Sequence, residues 1–189
     1  MAYVTLAAAK NYLGISESTD DALLEVLISS AQAIIDAATG RKFESAADTT
    51  RYLDMSQVDG LRLRLDEDLC SITTITNGGG TVITSAQYKT MPRNKPPYYA
   101  IDLLSSTGVS WNYTDNPEAA ISIAGRWAYS VTAPADIVQA TKRIAAYLYR
   151  QKDNALDIDR TILAGNATIL PATLPSDVMF MIGPYRSSL

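Results

Sequence analysis

The spacing of apolar residues changes twice along this chain, and the change limits the folds it can adopt. Between residues 21 and 39, apolar side chains recur every three or four positions, as on one face of a helix. From about 49 to 125, apolar and polar residues alternate, as in half-buried strands. Helical spacing returns after residue 130. The sequence therefore predicts an α+β protein, a bundle of three to four helices with a small inserted antiparallel β domain.

Capping residues mark the ends of the predicted helices. Thr5 is a suitable N-cap and Gly14 a suitable stop for a first helix between them. Gly40 ends the second, longer helix. Pro134 suits the first turn of the returning helix, because its fixed φ is already helical.

The middle segment predicts six short strands joined by turns. Leu61, Leu63 and Leu65 alternate with arginines, which is typical of a half-buried strand. The run from Gly78 to Gly80 follows a strand rich in Ile and Thr and predicts a hairpin turn. A phosphate-binding loop would need Lys-Ser/Thr and a helix after those glycines, and a strand pattern follows instead. The predicted strands are 61–65, 71–76, 81–84, 87–91, 99–104 and 119–124.

The C-terminal segment is apolar and interrupted by prolines. A run from Val178 to Ile182 lies between Pro175 and Pro184, after the last clear helix. A tail of this composition must pack on its own domain or on a neighbour, so we predict an extended docking tail. The predicted organisation is an N-terminal helical pair (1–48), an inserted β domain (49–130), a return helix (131–170) and a C-terminal docking arm (171–189).

Composition excludes several kinds of site. The 189-residue chain contains no histidine and one cysteine, which excludes histidine-based dyads, His-ligated zinc and an intrachain disulfide. Its formal net charge of −4 lacks the basic excess of a protein that coats duplex DNA. We find no signal peptide or membrane span and expect a soluble, intracellular product. We predict no catalytic residue, metal or cofactor.

Three local features carry alternative readings. The acidic run Asp66-Glu67-Asp68 could hold a divalent cation, but a solvated turn between two strands is the favoured reading. Cys70 is interpreted as a buried structural thiol, since no histidine is present to activate it. Lys142, Arg143, Arg150 and Lys152 form a basic face that is either solvated or meets an acidic partner.

A set of short motifs, weak singly, runs in a specific order along nearly the whole chain. They are Tyr3 to Leu6, Ala9 to Gly14, Asp20 to Leu24, Thr39 to Phe43, Ile72 to Thr76, Gly125 to Ser130, Tyr147 to Gln151 and Pro184 to Arg186. In these motifs the chain resembles the head–tail connector (adaptor) proteins of tailed bacteriophages, in the longer form that carries a β insertion. Residues 153–168 match no part of that pattern.

The resemblance implies a structural role in the neck of the virion. Such proteins are made in the host cytoplasm and form a ring, typically of twelve copies, beneath the portal protein. The ring extends the DNA channel, lets genomic DNA pass without sequence-specific binding, and offers a docking surface to the next neck or tail protein. The C-terminal segment commonly grips the portal. We therefore predict a portal interface with Phe180, Tyr185 and Arg186 as anchors.

Two other functions stay open at this point. One is a different neck component, such as a head-closure or tail-completion protein, which we would expect to be mainly β. The other is a small metal-dependent hydrolase, which the histidine-free sequence and unpaired acids disfavour.

Overall fold

The computed structural model describes residues 2–151 and 175–186. Contacts divide the chain into two units. One is the continuous segment Arg41–Ala133, which is built of β-strands. The other is helical and combines Ala2–Gly40 with the described residues from Pro134 onward.

The helical unit contains four α-helices in the described residues. They are α1 (Leu6–Leu13), α2 (Asp21–Thr39), α3 (Ala135–Gln151) and α4 (Ser176–Ile182). The predicted start and end of α1 are confirmed: Thr5 Oγ1 accepts a hydrogen bond from the Ala8 N–H at 3.2 Å, and Gly14 adopts a φ of 72°. The predicted Gly40 stop of α2 is also confirmed, with a φ of 67° that suits glycine.

Apolar stripes on α2 and α3 form the centre of the helical unit. Leu24, Ile28 and Ile35 are buried on α2, and α2 contacts α3. Ile137 and Ile144 are buried on α3. By length and composition α2 could also span a membrane, and it is the one described helix for which this holds. Its buried face is that of a helix packed inside a protein unit.

The β unit contains two antiparallel sheets of four strands each. The strands are β1 (Thr49–Leu53), β2 (Val58–Asp59), β3 (Arg62–Leu69), β4 (Ser71–Thr76), β5 (Val82–Ile83), β6 (Tyr88–Met91), β7 (Tyr98–Leu103) and β8 (Ile121–Arg126). One sheet has the order β1-β8-β4-β5 and the other β2-β3-β7-β6. Single turns of 3₁₀-helix occur at Met55–Gln57, Ser105–Thr107 and Gly183–Tyr185. The α+β class is confirmed, with eight described strands where six were predicted.

One apolar cluster fills the β unit and draws on both sheets. Leu63, Leu69 and Ile101 contribute from one sheet, and Ile75 and Ile123 from the other. All five side chains are fully buried. Burial of this apolar surface is the main stabilising contribution to such a unit.

The two ends of the β unit run beside each other. The Tyr129 N–H donates to the Lys42 carbonyl at 2.8 Å, and the Ser130 hydroxyl donates to the Phe43 carbonyl at 3.1 Å. Glu44 and Ser130 form a parallel bridge. The chain therefore enters and leaves this unit through neighbouring segments.

Two sequence predictions need correction. Residues 66–68 are not a turn between strands, because they lie within β3, and the chain crosses to the other sheet at Cys70. The C-terminal segment was predicted to be extended, but its described part is helical over Ser176–Ile182. Val178 and Ile182 are four residues apart, so a helix buries both on one face.

Candidate interaction site

The short helix α4 is anchored by its inner face. Val178 and Ile182 are fully buried, and α4 contacts both α3 and α2. The Met179 N–H donates to the Pro175 carbonyl at 3.1 Å, which closes the first turn. The apolar burial fixes which side of α4 faces outward.

Polar contacts add to this anchoring. The Arg143 guanidinium on α3 forms an ion pair with Asp177 in the first turn of α4. The Tyr185 hydroxyl donates to a carboxylate oxygen of Asp136, at the start of α3, at 3.4 Å. An acid in the first turn also favours α4, because the N-terminus of a helix carries partial positive charge.

The outer face of α4 presents an exposed aromatic ring. Phe180 and Val178 lie about 200° apart around the helix axis, so burial of Val178 turns Phe180 to the surface. Phe180 is 85% exposed, and Met179 beside it is also exposed. The outer face of α4 therefore carries two neighbouring exposed apolar side chains.

The three residues predicted as anchors have different surroundings. Phe180 is exposed, Tyr185 is half-buried, and Arg186 is exposed without an ion pair to any described residue. The structure brings all three onto the segment from α4 to the 3₁₀ turn that follows it. Of the three, Phe180 offers the largest apolar surface.

A cleft of about 160 Å³ lies within the same helical unit. It is lined by Tyr12, Arg143, Ala146, Tyr147, Arg150 and Pro175. The two arginines of this cleft belong to the basic face predicted from the sequence, whereas Tyr12 was not among the predicted site residues. The spacing of Arg143, Tyr147 and Arg150 by four and three residues was the available signal, since it places them on one side of α3. Lys152, the last member of the predicted basic face, lies outside the described residues.

A family model for head completion proteins matches residues 2–188. The chain belongs to the head completion protein family. This confirms the resemblance to phage head–tail connector proteins found in the sequence. No curated protein matches the chain.

Solved structures with a similar fold come from the neck of gene transfer agent particles. The neck of an empty particle, in C6 symmetry, contains a chain with a TM-score of 0.60 and 17% identity, covering 99% of this chain and 91% of that chain. The virion of a native particle gives 0.57 and 18%, covering 99% and 91%. The neck of a native particle in C12 symmetry gives 0.56 and 18%, covering 97% and 88%. At these identities the matches show a shared fold.

In this head completion protein, arginines bind the acidic run of β3. The Arg41 guanidinium lies 2.6 Å from both carboxylate oxygens of Asp68, a buried residue. Arg51 pairs with Asp66 at 3.2 Å and with Glu67 at 2.7 Å. Each of these carboxylates is thus paired with a guanidinium group. No group of three His, Cys, Asp or Glu side chains that could hold a metal is found among residues 2–151 and 175–186.

The single cysteine is buried as predicted. Cys70 lies between β3 and β4, and its N–H donates to the Arg126 carbonyl at 2.8 Å. Burial raises the pKa of the Cys70 thiol, because desolvation disfavours the thiolate. The residue fills space where the chain passes from one sheet to the other.

Proposed function

We propose that this chain is a structural protein of the virion neck that assembles as a ring beneath the portal. The ring extends the DNA channel and provides the docking surface for the next neck or tail protein. The observation that carries the proposal is the family match over residues 2–188. The shared fold with neck proteins of gene transfer agent particles supports it. The same support favours a role in assembly without catalysis.

The proposed ring contains twelve copies. Twelve copies are compatible with both symmetries with which the necks of similar fold were computed, C6 and C12. A ring needs a head-to-tail contact that closes on itself, so each copy must present two different faces to its neighbours. With a net charge of −4 per chain, twelve copies carry 12 × −4 = −48, which disfavours tight binding of the passing DNA over most of the surface.

A different neck role, such as head closure, would be expected for a mainly β chain. The four described helices favour the adaptor role instead.

The proposed portal contact is the outer face of α4 with the residues that follow it. Phe180 is the central anchor, because it offers the largest exposed apolar surface of the three predicted anchors, and aromatic rings often dominate binding energy at interfaces. Tyr185 and Arg186 extend the contact with a hydroxyl and a guanidinium group. Removing the whole segment 171–189 would also remove the buried Val178 and Ile182, so point substitutions test the contact more cleanly.

The first prediction concerns Phe180. The substitution Phe180→Ala should weaken binding to the purified portal ring at least about ten-fold, or about 1.4 kcal/mol, as expected for an aromatic anchor. The far-UV circular dichroism and the melting temperature should stay unchanged, because the ring is 85% exposed. Binding is measured by co-sedimentation with the portal and by negative-stain imaging of the complex.

Tyr52→Ala is the matched control for Phe180→Ala. It removes another exposed aromatic side chain, on β1, in the β unit. It should leave portal binding unchanged. Equal binding by Phe180→Ala and the native protein would contradict the portal assignment of α4.

A further inference from the structure

The acidic residues of this acidic chain are unevenly distributed. Its 20 Asp and Glu residues leave residues 69–101 without any acid. That stretch carries three cations, Lys89, Arg93 and Lys95. Its formal charge is +3, so the rest of the chain carries −4 − 3 = −7. A second acid-free stretch, residues 137–152, carries four cations on and just after α3. The three cations of residues 69–101 lie on one element of the β unit.

That element is the hairpin of β6 and β7. Lys89 lies on β6, while Arg93 and Lys95 lie in the connecting loop. Residues 92–96 are all exposed. The loop contains Pro92, Pro96 and Pro97, whose fixed φ angles reduce its conformational freedom. The three cations are therefore held on a stiffened surface loop and the strand beside it.

The neighbouring carboxylate is already bound to another residue. Lys89 lies opposite Asp102 in the register of β6 and β7, and Asp102 lies opposite Arg62 in that of β7 and β3. Arg62 donates two hydrogen bonds to the two carboxylate oxygens of Asp102, at 2.7 and 2.8 Å. A bidentate Arg–carboxylate pair is stronger than a single hydrogen bond between the same groups, so Asp102 is bound by Arg62 and not by Lys89. No described acid forms an ion pair with Lys89.

Cations without an ion pair are uncommon in the rest of the β unit. Its arginines outside the hairpin each form an ion pair with a described Asp or Glu: Arg41, Arg51, Arg62, Arg64 and Arg126. Four cations of the unit form no ion pair with a described residue. They are Lys42 and the three hairpin residues Lys89, Arg93 and Lys95. The hairpin thus carries three cations that form no ion pair within the described residues.

The chemistry of the loop favours a polyanion over a protein surface. Protein interfaces depend on apolar or aromatic anchors that become buried. Residues 92–96 provide prolines, an asparagine and two cations, and Tyr99 is the exposed aromatic side chain beside them in the described residues. Phosphate groups along a nucleic acid are bound by exposed cations together with amide and hydroxyl donors. Asn94 and the exposed Tyr99 provide such donors.

We propose that the β6–β7 hairpin binds the sugar–phosphate backbone of duplex DNA, independently of base sequence, through Lys89, Arg93 and Lys95. The proposal rests on the proposed neck role only for the source of that DNA, the genome that passes through the ring. Contact at one loop per subunit on an otherwise acidic protein gives weak, repeated attachment and permits sliding.

The test measures binding to a labelled DNA duplex of about 30 base pairs by fluorescence anisotropy at low salt. The native protein should bind with a salt dependence of about three phosphate contacts, which is a loss of about 40-fold between about 50 and 200 mM salt. The triple variant K89Q/R93Q/K95Q should bind at least about ten-fold more weakly. The double variant R93Q/K95Q should show a smaller loss of DNA affinity. Because it changes only loop residues, it still tests the proposal if the triple variant folds poorly.

The matched control is K42Q/K142Q/R150Q. It removes three other cations that form no ion pair with described residues, so its net charge equals that of the hairpin variant. It should keep most of the DNA binding. Equal losses in the two triple variants, unchanged binding by the hairpin variants, or no binding by the native protein would each overturn the proposal.

A portal-binding assay separates this proposal from the proposed neck function. The hairpin variants should bind the portal normally, while Phe180→Ala should bind DNA normally. Loss of portal binding with intact DNA binding in the hairpin variants would instead assign the loop to an acidic protein partner and overturn the DNA proposal. Failure of every form, native included, to bind the portal would contradict the neck function and leave the DNA result standing.

Discussion

At Gly125 a single hydrogen atom in place of a side chain permits two strands to pair. A Cβ at this position of β8 would lie 2.1 Å from the Ser71 carbonyl oxygen and 3.2 Å from the Ile72 Cα. Both contacts are with the backbone of β4, which cannot rotate away as a side chain can. The register of β4 and β8 also shifts here, between Ile72 and Thr74. Glycine at this point is therefore a requirement of the sheet.

The second prediction follows from that contact. Gly125→Ala should lower the free energy of unfolding by about 3 kcal/mol, because the strands must separate or bend to accept the methyl group. Urea denaturation monitored by tryptophan fluorescence measures the change. Gly183→Ala is the control, since a Cβ there has no atom within 4 Å, and it should be close to neutral. A stable Gly125→Ala variant would contradict the close approach of β4 and β8.

The acidic residues 66–68 show what could not be predicted from the sequence alone. Three successive acids are typical of a turn, and the local sequence alone predicts one at residues 66–68. Their partners, Arg41 and Arg51, lie between 15 and 27 positions away in the sequence. The fold brings these arginines to β3 and makes a charged strand stable. Only the pairing of distant strands and loops could have revealed this.

At the scale of elements, the charged row across β3, β7 and β6 gives a pH-dependent contribution to stability. Hydrogen bonding from Arg62 lowers the pKa of Asp102, and the charges of Arg62 and Arg93 lower it further against an opposing effect of desolvation. A carboxyl whose pKa is lower in the folded state stabilises the fold above its unfolded pKa, about 3.9. That contribution is lost as the pH falls through the folded pKa.

The third prediction uses this pair. Asp102→Asn should lower the free energy of unfolding at pH 7 by under about 1 kcal/mol, because the pair is partly exposed. The difference from the native protein should shrink as the pH falls below about 4. Urea denaturation at several pH values measures it. Asp59→Asn, at a long and highly exposed pair with Arg64, should have no measurable effect. If the stability difference between Asp102→Asn and the native protein stayed the same at low pH, the lowered pKa of Asp102 would not be its cause.

Element boundaries could be predicted where local chemistry sets them. The cap at Thr5 and the stops at Gly14 and Gly40 depend on residues within one turn, and all three were found from the sequence. The order of strands could not be predicted from the sequence, because β1 pairs with β8, which lies about 70 positions away. Two-residue strands such as β2 and β5 carry too few residues for a visible alternation. The helix α4 was missed because prolines on both sides suggested extended chain.

At the scale of the molecule, the β unit is continuous in sequence and the helical unit is not. Arg41–Ala133 forms one unit with its own apolar cluster, while residues 2–40 depend on α3 for their core. The fourth prediction is that a fragment of residues 41–133 folds alone. It should show a β-type circular dichroism spectrum and a cooperative thermal transition.

The N-terminal fragment, residues 1–40, provides the comparison. It should show little helix in isolation, because short helices need tertiary packing for stability in water. A fragment 41–133 that melts without a cooperative transition would show that the β unit needs the helices.

The hydrogen-bonded contacts of residues 42–44 with residues 129 and 130 make the β unit interchangeable in principle. Residues close to the two ends of the β unit are hydrogen-bonded to each other. For the helical unit, inserting such a segment therefore costs only the closure entropy of a short loop, whatever the length of the segment. A larger, smaller or differently shaped cassette could be grafted between the same two positions. One helical scaffold could in this way be adapted to docking partners of different outline.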